Sequence, residues 1–180
     1  VSNSSAVFGF PASFTKSISA SVLGIPVIAI VAIIVALILA FLTIKTKLGR
    51  NIYALGGNKE SAWYSGINVK LHTLIVFIIS GLCAGIAGIV LLGRVGSAEP
   101  AAATGFETYA IAAAIIGGTS FFGGKGKIHG VVVGGLIIGV INYGMNILSL
   151  SSTLQQVVMG ALIIGSVALD RFVGSKNTSK

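Results

Sequence analysis

Residues 24–44, GIPVIAIVAIIVALILAFLTI, run for 21 positions without a charged side chain. As a helix that run extends about 31 Å, enough to cross the hydrocarbon core of a bilayer. It predicts a transmembrane helix, with Pro26 tolerated in the first turn. Residues 45–70, KTKLGRNIYALGGNKESAWYSGINVK, reverse the character at once. They hold Lys45, Lys47, Arg50, Lys59 and Lys70, five of the chain's twelve Lys and Arg residues, and Glu60, one of its four acids. Charges and turn backbone go unsatisfied in lipid, so this island must lie in water at one face of a membrane.

Composition supports the same class. Only 9% of the 180 residues are charged and 54% are hydrophobic, where an ordinary soluble domain has about 25% charged residues. Glycines outnumber prolines 25 to 3, which suits helices that approach closely in lipid. The net charge of +8 raises nucleic acid as a partner. The basic residues, however, stand at the ends of apolar runs and not along one polar surface, so no nucleic-acid partner is expected. Cys83 alone gives no disulfide or metal framework and reads as a small packing residue. The chain starts at Val1 without the basic opening of a signal peptide, and is expected to be the later part of a longer protein.

The remaining segments follow from hydropathy. Residues 1–23 read as an extracytoplasmic loop, with Phe8, Phe10 and Phe14 at the interface. Residues 71–92 form a second span, and Gly81, Ala84, Gly85 and Gly88 mark a side that should meet another helix closely. Residues 93–105 are a connector. Residues 106–122, with Glu107 near the start and Gly117 and Gly118 near the end, are short for a span. They read either as a broken or half-inserted helix or as a plain short span. Residues 128–148 form the next span, on which Gly135, Gly139, Asn142 and Asn146 fall on one stripe facing protein or a water-filled path. Residues 154–169 are a last short apolar segment, and residues 170–180 a polar, frayed tail. The predicted fold is all-α: a polytopic transmembrane helix bundle of about five membrane segments, one or two of them short or broken.

Charge sets the topology. Lys45, Lys47, Arg50, Lys59, Lys70, Lys125, Lys127, Arg171, Lys176 and Lys180 fall on one side of such a bundle, and Lys16 and Arg94 on the other. The positive-inside bias places the island, the GGKGKIHG turn at 123–130 and the C-terminus in the cytoplasm. Within the island, Gly56 and Gly57 permit a turn, Asn58 can cap a helix and Glu60 suits its first turn. A helix of one or two turns over 61–65, carrying Trp63 and Tyr64, should end near Gly66. It serves either as an amphipathic helix on the inner membrane surface or as a docking helix for a cytoplasmic partner.

Catalytic and nucleotide chemistry find no support. Lys125 precedes Gly126 and Lys127 precedes Ile128, so neither has the Ser or Thr that follows the lysine of a P-loop. His72 and His129 lie near cytoplasmic ends without a carboxylate cluster. An ion-coupled secondary transporter would need ionisable groups inside the spans, and only Glu107, near a boundary, approaches that.

Three stretches together carry a resemblance: GRNIYALGGNKESAWYSGINV (49–69), AIAAAIIGGTSFFGGKGKIHG (110–130) and GVINYGMNILSLSSTLQQVVMGALII (139–164). The chain from about residue 24 to 170 resembles the C-terminal half of the permease subunit of bacterial ABC importers for monosaccharides, nearest to the ribose-type branch. The resemblance implies a multi-pass protein of the bacterial cytoplasmic (inner) membrane, in contact with lipid, that works as a permease dimer. It also implies a cytoplasmic ABC ATPase and an extracytoplasmic sugar-binding protein as partners. ATP and Mg belong to that ATPase, so no cofactor is expected here and the chain is not itself an enzyme. It further implies that Gly56, Gly57, Asn58, Glu60, Ala62 and Gly66 belong to the loop that couples to the ATPase.

Sugar ligands are not implied by the resemblance. The pathway candidates are Asn142 and Asn146, then Thr119, Ser120 and Glu107, each of which could equally serve helix–helix hydrogen bonding. Alternative cargoes in related ABC permeases are branched-chain amino acids, autoinducer furanosides and nucleosides. An ion-coupled transporter ranks below them.

Overall fold

The structure is a computed structural model that describes residues 9–22 and 24–177. Phe8 and Lys180, assigned above to an interfacial loop and to the basic side, lie outside the described residues. The chain divides into two compact units. One comprises the described part of Val1–Leu39 with Lys70–Thr104, the other Ala40–Val69 with the described part of Gly105–Lys180.

In the first unit, the segment read as a loop contains α1 (Ala12–Ser19) and β1 (Ser21–Val22), which forms a two-strand hairpin with β2 (Ile25–Pro26) at the start of the stretch read as the first span. Ser21 pairs with Pro26 and Val22 with Ile25, around Gly24 at φ +81°. Pro26 therefore ends a strand just before the helix instead of standing in its first turn. An edge strand tolerates its missing N–H. α2 (Val27–Lys45) follows and carries the uncharged run.

α5 (Val69–Val95) is 27 residues long, about 40 Å, and takes in Gly93 and Arg94, which the sequence reading gave to a connector. It stops only at Gly96, whose φ is +74° and whose N–H donates to the Leu92 carbonyl at 2.8 Å. Ile18 of α1 packs directly onto Gly93, where a Cβ would collide. Along α5, Gly81, Gly85 and Gly88 have nothing within 4 Å among the described residues.

The second unit takes in the end of α2 from Ala40, which gives way to α3 (Lys47–Gly57) at Thr46. The Thr46 hydroxyl donates to the Leu42 carbonyl at 2.6 Å and accepts from the Gly49 N–H at 3.2 Å, capping α3 as α2 ends. Gly49 sits against the backbone of Leu42 and Thr43, a fold-back that leaves no room for a side chain. α4 (Lys59–Tyr64) follows after one residue.

α6 (Phe106–Ile116) is 11 residues, about 16 Å, and cannot cross a bilayer by itself. The apolar segment read to Phe122 stops being helical at Gly117. Gly118 takes φ +83°, its N–H bonds to the Ile115 carbonyl at 2.9 Å and that of Thr119 to the Ala114 carbonyl at 3.0 Å. α7 (Ile128–Ile147) is 20 residues and packs antiparallel on α6. Its end is closed by Ser149 at φ +52°, with the Leu150 N–H on the Met145 carbonyl.

α8 (Ser152–Asn177) runs eight residues past the expected boundary at 169, so the tail read as frayed is helical through 177. Its apolar part ends at Ala168, but no proline interrupts it and the backbone bonds continue outside an apolar setting. The core of this unit is Ala112 and Ala113 of α6, Ile138 and Met145 of α7, and Met159 of α8, with Ala112 and Met159 fully buried.

Backbone proximity makes the α6–α7 contact. A Cβ at Gly134 would strike the Ala113 carbonyl, and Gly117 and Gly130 are set against each other's backbone. Two small residues four apart on each helix produce this, Ala113 with Gly117 and Gly130 with Gly134. The buried stripe on α7 is thus Gly134, Ile138 and Met145. Gly135 and Gly139 of the predicted stripe have nothing within 4 Å among the described residues.

Candidate functional site

The island supplies the first group of candidates. Asn58 closes α3, its N–H donating to the Ala54 carbonyl at 3.1 Å, and opens α4, its Oδ1 accepting from the Ser61 N–H at 2.9 Å. One asparagine therefore serves two helix ends, and the chain changes direction with little slack. Glu60 lies in the first turn of α4, where the helix N-terminus favours an acid. Gly66 ends the element at φ +79°, with its N–H on the Trp63 carbonyl and that of Ile67 on the Ala62 carbonyl.

Five of the six loop candidates, Gly56, Gly57, Asn58, Glu60 and Gly66, are exposed, and Ala62 is buried at 4% exposure. Ala62 therefore seats α4 and does not present a surface. The outward surface belongs to Lys59, Glu60, Trp63 and Tyr64, the two rings meeting edge to face with centroids 5.0 Å apart.

The two glycines before Asn58 do not serve the turn that the sequence suggested. Both are helical residues of α3, and neither has a positive φ. Gly56 is needed for approach. A Cβ there would lie 2.7 Å from the Gly124 amide nitrogen, and a Cβ on Gly124 would lie 2.7 Å from the Gly57 Cα. Tyr53, a turn earlier on α3, donates its hydroxyl to the Gly126 carbonyl at 2.9 Å.

The opposing turn is itself fixed. Gly123 and Gly124 have φ of +92° and +71°, and the Ser120 N–H bonds to the Lys125 carbonyl at 3.0 Å. The Ser120 hydroxyl donates to Asp170 Oδ2 on α8 at 3.0 Å. Three segments that the charge rule places on one side of the membrane, the end of α3, the glycine turn and the end of the apolar part of α8, are thus brought together.

The pathway candidates divide between two places. Thr119 and Ser120 belong to the turn before α7, whereas Asn142 and Asn146 lie near the other end of that helix. Asn146 Nδ2 donates to the Asn142 carbonyl at 3.0 Å and to Asn142 Oδ1 at 3.1 Å. Gln155 Nε2 on α8 donates to Asn146 Oδ1 at 3.3 Å and to the Leu150 carbonyl at 3.0 Å. The result is an amide ladder with Asn142 half-buried and Asn146 exposed. Glu107 is exposed in the first turn of α6, toward the ladder end of the antiparallel pair.

Sequence reasoning missed Tyr53, Gly123, Gly124 and Asp170 on one side and the role of Gln155 on the other. A glycine pair at the end of α3 and another in the turn before α7 were the available signal for the first group. No metal-ligating group of three or more His, Cys, Asp or Glu is present among the described residues.

α2, α5 and α7 are long and apolar enough to cross a membrane, with mean hydropathy 3.3, 2.7 and 1.7, and α6 and Ser152–Ala168 are shorter apolar helices. Together they define the class, a helical multi-pass membrane protein. Residues 1–167 match the family described as branched-chain amino acid transport system / permease component, and the chain belongs to that family.

Among curated relatives, the chain is 64% identical over 173 residues to the D-allose transport system permease protein of Escherichia coli (strain K12), covering 96% of this chain and 53% of the relative. It is 46% identical over 149 residues to the ribose import permease protein of Bacillus subtilis (strain 168), covering 83% and 46%. It is 42% identical over 147 residues to the xylose transport system permease protein of Haemophilus influenzae (strain ATCC 51907 / DSM 11121 / KW20 / Rd), covering 82% and 39%. The chain thus spans about half the length of the curated relatives it matches. No solved structure matches it.

Proposed function

We propose that this chain forms part of the membrane permease of an ATP-driven importer for a monosaccharide, and that α4 is the element against which a separate cytoplasmic ATPase docks. One observation carries the docking reading. A short helix, capped at both ends and seated by buried Ala62, presents Lys59, Glu60, Trp63 and Tyr64 outward in the stretch of sequence that joins two long apolar helices. A rigid element of that kind transmits a displacement that a loose loop would absorb. The permease would work as a dimer in the inner membrane, surrounded by lipid, with its C-terminus cytoplasmic by the positive-inside bias, and would receive cargo from an extracytoplasmic sugar-binding protein. Asn142, Asn146 and Gln155 would offer the passing sugar sparse hydrogen-bonding groups, since tight holding would prevent release.

Monosaccharide cargo is supported by the relatives' names. Identity is higher to the relative named for D-allose than to the one named for ribose, so D-allose takes precedence over ribose as the first sugar to test.

The docking test places a photo-crosslinking amino acid at Tyr64, which is 80% exposed, in the full-length permease expressed beside the proteins encoded next to it. Covalent capture of a Walker-motif ATPase is the expected result. Labelling of lipid alone, with no ATPase retained, would leave α4 as an amphipathic surface helix and overturn the docking reading.

A further inference from the structure

We propose that the turn at 117–127 is the output side of the coupling element, so that displacement of α4 reaches the α6–α7 hairpin through α3 and this turn, and not only the helices α2 and α5 that flank the island in sequence. The inference rests on the docking reading of α4.

The contact between α3 and the turn is made of backbone at its glycines and of one side-chain bond, that of Tyr53. Cβ atoms at Gly56, Gly123 and Gly124 would each lie 2.5–2.7 Å from a main-chain atom of the opposing segment. At these three glycines the nearest opposing atoms are main chain, so no rotamer change there can absorb a shift. Tyr53 fixes the register of the contact through its bond to the Gly126 carbonyl.

The turn cannot yield easily either. Gly118, Gly123 and Gly124 occupy the left-handed region, Ser120 closes the turn on Lys125, and the Ser120 hydroxyl ties it to Asp170 of α8. Beyond it, Gly117 and Gly130 hold α6 and α7 at backbone contact, so the hairpin leaves the turn as a unit. Tyr53 and Gly124 are in this scheme positioning residues: they touch no cargo and act through the hairpin.

The test uses the full-length permease, reconstituted in proteoliposomes with its ATPase and binding protein, and reads ATP hydrolysed per sugar imported. In Tyr53→Phe the ATPase should be retained and hydrolysis should stay within about twofold of the parent. Uptake should fall about fivefold, the equilibrium factor of one lost neutral hydrogen bond, so the ratio should rise about fivefold. Gly124→Ala should raise it further. A contact that only stabilises the fold would lower ATPase capture, hydrolysis and uptake together, and an unchanged ratio in Tyr53→Phe overturns the inference even if Gly124→Ala fails to accumulate. Failure of the parent permease to retain any ATPase overturns the docking reading and this inference with it, which separates that outcome from an unchanged ratio.

Discussion

Gly134→Ala is expected to destabilise the α6–α7 pair by about 2 kcal/mol, although it adds a single methyl group to a helix. That methyl would press on the Ala113 carbonyl oxygen and lie 2.8 Å from the Gly117 nitrogen and 3.0 Å from the Ala113 carbonyl carbon, where ordinary contact begins at 3.4 Å. None of these atoms can step aside. Gly117 N–H already donates to the Ala113 carbonyl at 2.9 Å at the end of α6. Relief therefore requires α7 to withdraw by roughly 0.5–1 Å, a gap that forfeits a quarter to a half of each dispersion contact it opens. The contacts at risk are those of Ile138 and Met145 with Ala112, Ala113 and Met159.

At about 1–2 °C per kcal/mol for a chain of about twice this length, the apparent melting temperature should drop by roughly 2–4 °C. It can be read by fluorescence-detected size exclusion after stepwise heating of the full-length permease in detergent. Gly135→Ala is the internal comparison, since a Cβ there has nothing within 4 Å and exchanging glycine for alanine in a helix is worth up to about 1 kcal/mol. Two results would refute the reasoning: Gly134→Ala melting within about a degree of the parent, or Gly135→Ala falling as far as Gly134→Ala.

Asn58→Ala removes the acceptor for the Ser61 N–H and should cost about 1 kcal/mol. Amide exchange within Lys59–Tyr64 should then accelerate about fivefold by mass spectrometry, and unchanged protection would deny the cap its role. Asn142→Leu combined with Asn146→Leu should lower sugar uptake while ATPase capture is retained. An unchanged rate would assign the amide ladder to helix–helix bonding alone.

Local features were legible in the sequence where their causes are local. Asn58, Glu60 and Gly66 stand at the spacing that a short capped helix demands, and the helix is there. Hydropathy located α7 to within a residue, because turns with left-handed glycine or Ser149 stop the chain on both sides. Which stripe of α7 would be buried was not legible. Gly134 and Gly135 are adjacent and chemically identical, and only the position of Ala113 on α6 selects between them. The extent of α8 escaped for another reason: hydropathy falls at Asp170, whereas backbone hydrogen bonding does not depend on it. Contact between Gly56 and Gly124 joins residues 68 positions apart, and no periodicity within either loop encodes that pairing.

The placement of glycine explains why the α6–α7 hairpin is suited to carrying a displacement from one end to the other. In a side-chain-mediated contact, a shift of a few tenths of an ångström dissipates as rotamers adjust. At Gly117, Gly130 and Gly134 the two backbones touch directly, so there is no such compliance at the end that meets α3. At the other end the contact changes character. Asn142, Asn146 and Gln155 meet through amide bonds of 3.0–3.3 Å, and these can be broken and remade with water or with hydroxyl groups at little net change in free energy. If α4 docks a driving protein and the amide ladder meets cargo, as proposed above, a rigid lever that ends in exchangeable hydrogen bonds would separate the two demands, transmission without slack at one end and ready release at the other. Under that proposal, exchanging the two chemistries would defeat both demands: an amide ladder at Gly56 and Gly124 would yield under load, and a glycine contact at Asn142 would leave a sugar no side chain to bond.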